Sequence, residues 1–168
     1  VLIGSAEGDH GVRRLLKALR HEVPEVDAAA KRAGINTGAT VVRVIKTFHG
    51  GHGRLSLARV IAGTLKDGAV LHGPGGDARV GGILALSGDK QVKKSETRAG
   101  DTVALARLDN VQTGDRMSSD KAIARRMPVA LNAPVYRLAI EAADRKDEVK
   151  VTAAIAKLIE EDPSLVFE

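Results

Sequence analysis

Hydrophobic and polar positions follow different rhythms in successive regions of the chain. In residues 1–24, the apolar run "VLIGSA" predicts a short buried strand. The apolar residues that come next recur with the spacing of one helix face: Val12, Leu15, Leu16, Leu19 and Val23. This spacing predicts a helix at roughly residues 11–22, and Pro24 marks its end. Residues 25–38, "EVDAAAKRAGINTG", combine charged and small residues and are interpreted as a linker.

A second rhythm occupies residues 39–122, where short runs of β-type residues alternate with turn signals. Runs such as "ATVVRVIKTF", "RLSLARVIAGTL" and "TVALARL" are separated by glycine-containing turns. Strands this short and turns this frequent predict a mainly β fold, a closed antiparallel β-barrel rather than alternating βα units. Gly68 and Gly100 precede similar runs, so we expect both to have positive φ.

The pattern changes again in residues 128–168. "PVYRLAIEA" alternates like a strand, and "DRKDEVKVTAAIAKLIEEDP" has helical spacing. We therefore expect a C-terminal β-α segment with its helix at about residues 146–161, Asp144 or Asp147 as N-cap and Pro163 as the stop. "SLVFE" would begin a further strand.

Charge and aromatic content narrow the choice of partner. A net charge of +5 and a pI near 9.7 favour an anionic partner. Phe48, Tyr136 and Phe167 are the only aromatic residues, too few for a platform that stacks single-stranded bases. RNA would be held through its backbone and shape, and the candidate contacts are Arg54, Arg59, Lys66, Lys90, Lys93 and Lys94. For each of them, a solvated surface position is the simpler alternative.

The sequence gives little support for a metal site or a catalytic site. His49, His52 and His72 could contribute to a zinc site, but a fourth histidine or a cysteine is missing nearby. We interpret "HGGHG" as a glycine-rich hairpin turn with solvent-exposed imidazoles, and expect no metal. The chain contains neither a phosphate-loop motif nor a Gly-x-Ser-x-Gly elbow, so no catalytic residue is predicted.

The order of these segments resembles translation elongation factor G. "VLIGSAEGDHGVRRLLKALRHEVPE" is similar to the end of that family's GTP-binding domain, and "GRLSLARVIAGTLKDGAVL" to the start of its β-barrel domain II. "AGDTVALARLDNVQTGDRM" resembles the closing part of the barrel, and "APVYRLAIEAADRKDEVKVTAAIAKLIEEDPSL" the entry to domain III. The resemblance assigns residues 1–24 to the GTP-binding domain, 25–38 to a linker, 39–122 to domain II and 128–168 to domain III. "FHGGHGR" and the box Ser-Ala-Glu depart from the family's usual residues and indicate a diverged paralogue.

Several expectations come from the resemblance alone. It implies an internal part of a cytoplasmic, ribosome-associated GTPase that acts in elongation and translocation. In the complete protein, Ser5 and Ala6 would contact guanine, and GTP would bind with magnesium; this chain alone should hold neither. The barrel would contact RNA of the small ribosomal subunit, with no membrane partner, and the chain would be monomeric. The alternative is a free-standing β-barrel module that binds RNA or protein.

Overall fold

The computed structural model describes residues 1–36, 38–50, 53–88, 90–127, 131–142 and 144–168. The chain divides into two compact units, residues 1–36 and 37–168. No helix in these ranges is both long and apolar enough to cross a membrane.

The first unit contains two helices, α1 (Val12–Glu22) and α2 (Val26–Arg32). Helix α1 confirms the prediction for residues 11–22. Residues 1–4 are exposed and form no strand, so the strand predicted for "VLIGSA" is wrong. Only an isolated bridge between Ser5 and His10 forms there. Helix α2 lies within the predicted linker, where three successive alanines and charges suited to the helix dipole favour a helix.

The second unit is built mainly from short antiparallel strands, as predicted. The strands are β1 (Val41–Gly50), β2 (Gly53–Ala62), β3 (Thr64–Lys66), β4 (Val70–Gly73), β5 (Gly76–Arg79), β6 (Ile83–Ser87), β7 (Lys90–Lys94), β8 (Glu96–Arg98), β9 (Thr102–Ala106), β10 (Asp115–Ser118) and β11 (Arg125–Arg126). Within the described ranges, one sheet has the order β5-β4-β10-β1-β2-β9-β6-β7, and β11 pairs with β10. Strands β3 and β8 form a separate pair. These pairings leave β5 and β7 as outer strands, so closure of the barrel is not confirmed.

The turns behave as their glycines predict. Gly68 has φ 80° and Gly100 has φ 95°, both in the left-handed region that favours glycine. Each precedes a β run, so the turn positions read from the sequence are confirmed.

Strands β1 and β2 form a hairpin whose register changes at Ile45. Val44 pairs with Ala58, but Lys46 pairs with Leu57, so Ile45 is an extra residue in β1. An extra residue of this kind reverses which side chains of its strand face each side of the sheet. The inward-facing residues of β1 are therefore Val42 and Val44 before Ile45, and Thr47 and His49 after it.

One apolar cluster fills the interior of the second unit. Its members come from strands throughout the sheet order, including Ala78 of the outer strand β5 and Ile83 of β6 near the opposite end. Towards the tip of the β1–β2 hairpin, the inward positions become polar, and the directly paired Thr47 and Ser56 are 0% and 1% exposed. The sheet thus curves around its core, and one end of that core is polar.

The C-terminal part confirms the predicted helix but not the predicted strand. The short 3-10 turn Arg145–Asp147 leads into α3 (Glu148–Glu161). Residues 131–142 have no assigned strand, and their apolar side chains Val135, Tyr136, Leu138 and Ile140 are exposed. The alternating pattern is real, but a strand needs a neighbour to accept its hydrogen bonds, and no described strand pairs with this segment.

Gly63 should tolerate substitution less well than Gly53. Both have positive φ, 72° and 90° respectively. A Cβ on Gly63 would lie 2.9 Å from the Cα of Thr40, whereas a Cβ on Gly53 would meet no described residue within 4 Å. Positive φ alone costs an alanine about 1–2 kcal/mol. Gly53→Ala should therefore lose about this much stability, and Gly63→Ala clearly more, in chemical denaturation followed by circular dichroism. Equal losses would contradict the close approach at Gly63.

Candidate nucleic-acid interface

Four arginines lie in one row across the sheet. Arg59 of β2 is directly opposite Arg43 of β1, and Arg43 is also opposite Arg116 of β10. Arg116 is in turn opposite Arg125 of β11. Directly opposed residues of antiparallel strands project from the same face, with Cβ atoms about 4.5–5.5 Å apart. We call Arg59, Arg43, Arg116 and Arg125 the arginine row.

The electrostatics of the arginine row favour an anion. Arg116 is only 7% exposed, and its burial lowers the pKa of its guanidinium, as do the neighbouring charges of Arg125 and Arg43. Its Nε donates to the carbonyl of Ile123 at 3.2 Å. Within the part of the chain that the structure describes, no ion pair involves Arg43, Arg59 or Arg125. Like charges in direct opposition repel each other, and a row of phosphates would relieve that repulsion.

The predicted lysines of β7 form a second basic feature. All residues of β7 are exposed, and among the described strands it pairs with β6 alone. Lys90, Lys93 and Lys94 are therefore accessible cations on a sheet edge. Lys93 lies 3.9 Å from the carboxylate of Asp67, while its own side chain is 75% exposed. This pair is loose enough to exchange Asp67 for a phosphate.

Two further predicted contacts differ in their accessibility. Arg59 is exposed, and its guanidinium donates to the hydroxyl of Thr102 at 3.1 Å within the same row of side chains. Lys66 is also exposed, and it pairs across the β3–β8 ladder with Glu96. Arg59 thus belongs to the arginine row, whereas Lys66 lies opposite a residue of opposite charge.

Arg54 is engaged inside the protein. Its Nη1 and Nη2 donate to the carbonyls of Leu108 and Val111, and its Nε donates to the carboxylate of Glu160 at 3.1 Å. Sequence reasoning identified the charge of Arg54 but not these partners. A phosphate contact at this residue stays a prediction, and it would have to compete with Glu160.

The histidines that suggested a metal site are held by carboxylates. Nε2 of His49 lies 2.9 Å from Glu160, and Nδ1 of His72 lies 2.6 Å from Asp77. The His49 and His72 side chains are 22% and 31% exposed, so both imidazoles are in part open to solvent and in part covered by their partners. His52 lies outside the described residues. Among those that are described, no group of three possible ligands is close enough to hold a metal ion.

The guanine-contact candidates lie in a tight turn of the first unit. The backbone N–H of Ser5 donates to the carbonyl of His10 at 2.9 Å, and Ala6 accepts from the N–H of Asp9 at 3.5 Å. The Ser5 amide is therefore already used within the turn. This arrangement does not test whether Ser5 or Ala6 contacts guanine, so the assignment stays a prediction.

Sequence reasoning missed Arg43, Arg116 and Arg125. Arg43 and Arg116 are single arginines in the runs "VVRV" and "GDRM", and Arg125 is one of two adjacent arginines in "ARRM". Only the register of the strands brings these arginines into one row, because they lie up to 82 positions apart in the chain, from 43 to 125.

Family comparisons describe two segments of the chain. Residues 39–120 match the family described as elongation factor G domain 2. Residues 131–168 match the family described as elongation factor G, domain III. The two matches follow the order of the β unit and the α3 segment.

Comparisons of the chain with individual proteins also find elongation factor G relatives. The chain is 43% identical over 172 residues to an elongation factor G-like protein of Synechocystis, and 31% identical over 176 residues to elongation factor G 2 of Hahella chejuensis. These matches cover 100% and 98% of this chain but 25% and 26% of the relatives, so the chain spans about a quarter of their length. A crystal structure of a Thermus thermophilus protein shares the fold, with a TM-score of 0.75, 24% identity, and coverage of 96% of this chain and 24% of the other.

Zinc should leave the stability of the chain unchanged. A site saturated at one hundred times its dissociation constant would add about 2.7 kcal/mol, which is a shift of several degrees for a protein of this size. We expect no such shift in thermal melts with zinc or nickel, with magnesium as the control ion. A zinc-dependent rise that His49→Ala or His72→Ala removes would show that these imidazoles leave their carboxylates to bind metal.

Proposed function

The chain belongs to the elongation factor G family, and we propose that it is the ribosome-contacting part of a cytoplasmic translational GTPase acting in elongation and translocation. The observation that carries the proposal is the ordered match of residues 39–120 to domain 2 and of residues 131–168 to domain III of that family. Because the chain spans only about a quarter of the length of its relatives, we propose this activity and these partners for the complete protein.

The proposed domain organisation follows from the same order. Residues 1–24 end the GTP-binding domain, 25–38 connect, 39–122 form domain II as a closed barrel, and 128–168 begin domain III. Closure of the barrel is supported by the shared core, to which both β5 and β6 contribute. It is also supported by backbone hydrogen bonds that join Gly81 and Gly82, which follow β5, to Ala106 of β9.

The complete protein would bind GTP with magnesium, and this chain would contribute only a guanine contact. Ser5 and Ala6 would supply backbone groups to the guanine carbonyl, and the Ser5 amide would first have to leave His10. A donor aimed at that oxygen favours guanine over adenine, which presents an amino group at the same position. The phosphate-loop motif that holds the triphosphate is absent from the chain, so its residues alone do not form the nucleotide site.

Ribosomal RNA is the proposed partner of the β unit. The arginine row and the exposed lysines of β7 supply cations at fixed positions on a scaffold of strands, and the row lacks ion pairs at Arg43, Arg59 and Arg125 in the described part of the chain. Guanidinium groups bind phosphate oxygens in pairs, so a row of them fits a nucleic-acid backbone better than single bases. The protein would recognise the shape and backbone of the RNA rather than its bases, and its low aromatic content also favours this mode.

Nucleotide binding by the chain alone should be very weak. Phosphates supply much of the binding energy of a nucleotide, and the motif that cradles them is absent. Titration calorimetry with GTP or GDP should give no dissociation constant tighter than about millimolar, or roughly −4 kcal/mol. A micromolar constant would contradict the assignment of the nucleotide site to other parts of a longer protein.

RNA binding should depend on salt through the arginine row. Each phosphate contact that is lost should reduce the slope of log affinity against log salt by about 1. We expect Arg59→Gln with Arg125→Gln to flatten the slope measured with small ribosomal subunits, and Lys93→Ala with Lys94→Ala to flatten it separately. The matched control is Lys146→Gln with Lys150→Gln, which removes two charges that already pair with Asp144 and Asp147.

The same assay separates the two candidate functions. A ribosomal factor should bind small subunits more tightly than an unrelated RNA duplex at the same salt concentration. Equal affinity for both would favour a general RNA-binding module. If the arginine variants and the control have the same slope as the wild type, the arginine row is not the RNA interface.

A further inference from the structure

The tip of the β1–β2 hairpin meets the C-terminal end of α3. One carboxylate oxygen of Glu160 lies 2.9 Å from Nε2 of His49 and 3.1 Å from Nε of Arg54. The neighbouring carboxylate of Glu161 accepts the backbone N–H of His49 at 2.5 Å. Two consecutive acidic residues are thus held by a cross-strand pair, His49 and Arg54, that lies more than 100 residues earlier in the chain.

The β side of this contact is organised independently of α3. Arg54 also donates to the carbonyls of Leu108 and Val111, and both of those residues are 1% exposed in the core. These bonds fix the direction of the guanidinium at the end of the core. The Nε–H then points at Glu160, so Arg54 forms a prepared receptor for a carboxylate.

The helix side requires such a receptor. The last turn of α3 contains no basic residue, and Glu160, Glu161 and Asp162 lie together at its end. Acidic groups there oppose the helix dipole, which places partial negative charge at the C-terminus. The hairpin compensates all three, because Lys46 of β1 also acts on Asp162: a hydrogen bond from Ser164 lowers the pKa of this carboxyl, and the charge of Lys46 contributes.

Apolar burial holds the helix only in part, because Val151, Ile155 and Ile159 on one face of α3 are partly buried. No residue of α3 is buried, and the segment before it, residues 131–142, is largely exposed. The contact between α3 and the β unit is mainly with β1, and at the hairpin tip it is polar and includes Arg54 of β2. Its strength should therefore depend more on ionic conditions than on apolar packing.

We propose that His49 and Arg54 form a receptor for the acidic end of α3, and that this polar latch sets the orientation of residues 144–168 against the β unit. The latch consists of His49, Arg54, Glu160 and Glu161, with Lys46 and Asp162 beside it. Because no residue of α3 is fully buried, the α3 segment can be released without unfolding the sheet.

The protonation of Glu160 agrees with a closed latch at neutral pH. Burial acts to raise the pKa of this carboxyl, but the hydrogen bond from His49 and the charge of Arg54 outweigh it, so the net shift is downward. A carboxyl whose pKa is lowered by folding contributes stability above its ordinary pKa and loses it as the pH falls through the folded value. The latch should therefore open in acid.

Pulsed electron paramagnetic resonance on the whole chain can test the latch. The chain has no cysteine, so Ser87→Cys in β6 and Lys157→Cys on α3, both exposed, provide two unique sites for spin labels. We expect one narrow distance distribution at low salt. It should broaden in the Glu160→Gln, Glu161→Gln double variant, and also in 1 M salt, where the screening length falls to about 3 Å.

The matched control is Glu148→Gln, the same chemical change at the other end of α3, which should keep the narrow distribution. Arg54→Ala should also broaden it, but this change deprives two core carbonyls of their donor and can prevent folding, so the glutamine variants carry the test. The proposal is overturned if the distribution is already broad in the wild type, if it stays narrow in both the double variant and high salt, or if the control broadens it equally.

Discussion

The register between β1 and β2 is the constraint on which both polar features of the β unit depend. Before the extra residue Ile45, the pairing places Arg43 opposite Arg59 on the outer face and Val42 and Val44 in the core. After Ile45, the same hairpin turns Thr47 and His49 to the inner side, where His49 lies opposite Arg54. Without the bulge, His49 and Arg54 could not remain a pair at the end of the core.

The two arginines of β2 therefore have opposite roles even though they are only five residues apart. Arg59 faces outward among like charges, and its surroundings leave it available to an external anion. Arg54 faces inward, and backbone carbonyls together with a glutamate use its donors. Charge alone does not distinguish them, because the difference arises from the face of the strand and from the partners that the fold brings to it.

Local features were predictable from the sequence, and non-local ones were not. Helix α1, helix α3 and the turns at Gly68 and Gly100 follow from spacing and backbone freedom, which act within a few residues. The strand expected at residues 134–142 did not form because alternation states a preference that only a neighbouring strand can satisfy. The arginine row and the latch depend on pairings between distant segments, so a single sequence could show their residues but not their contacts.

Strand β7 also has a consequence for the behaviour of the protein in concentrated solution. An exposed edge strand offers unpaired backbone groups to which a second chain can add as another strand. Lys90, Lys93 and Lys94 surround that edge with positive charge, and two such edges repel each other. The cations that would attract a polyanion thus also keep copies of the chain apart, and neutralising them would remove a protection against self-association along with any contact to RNA.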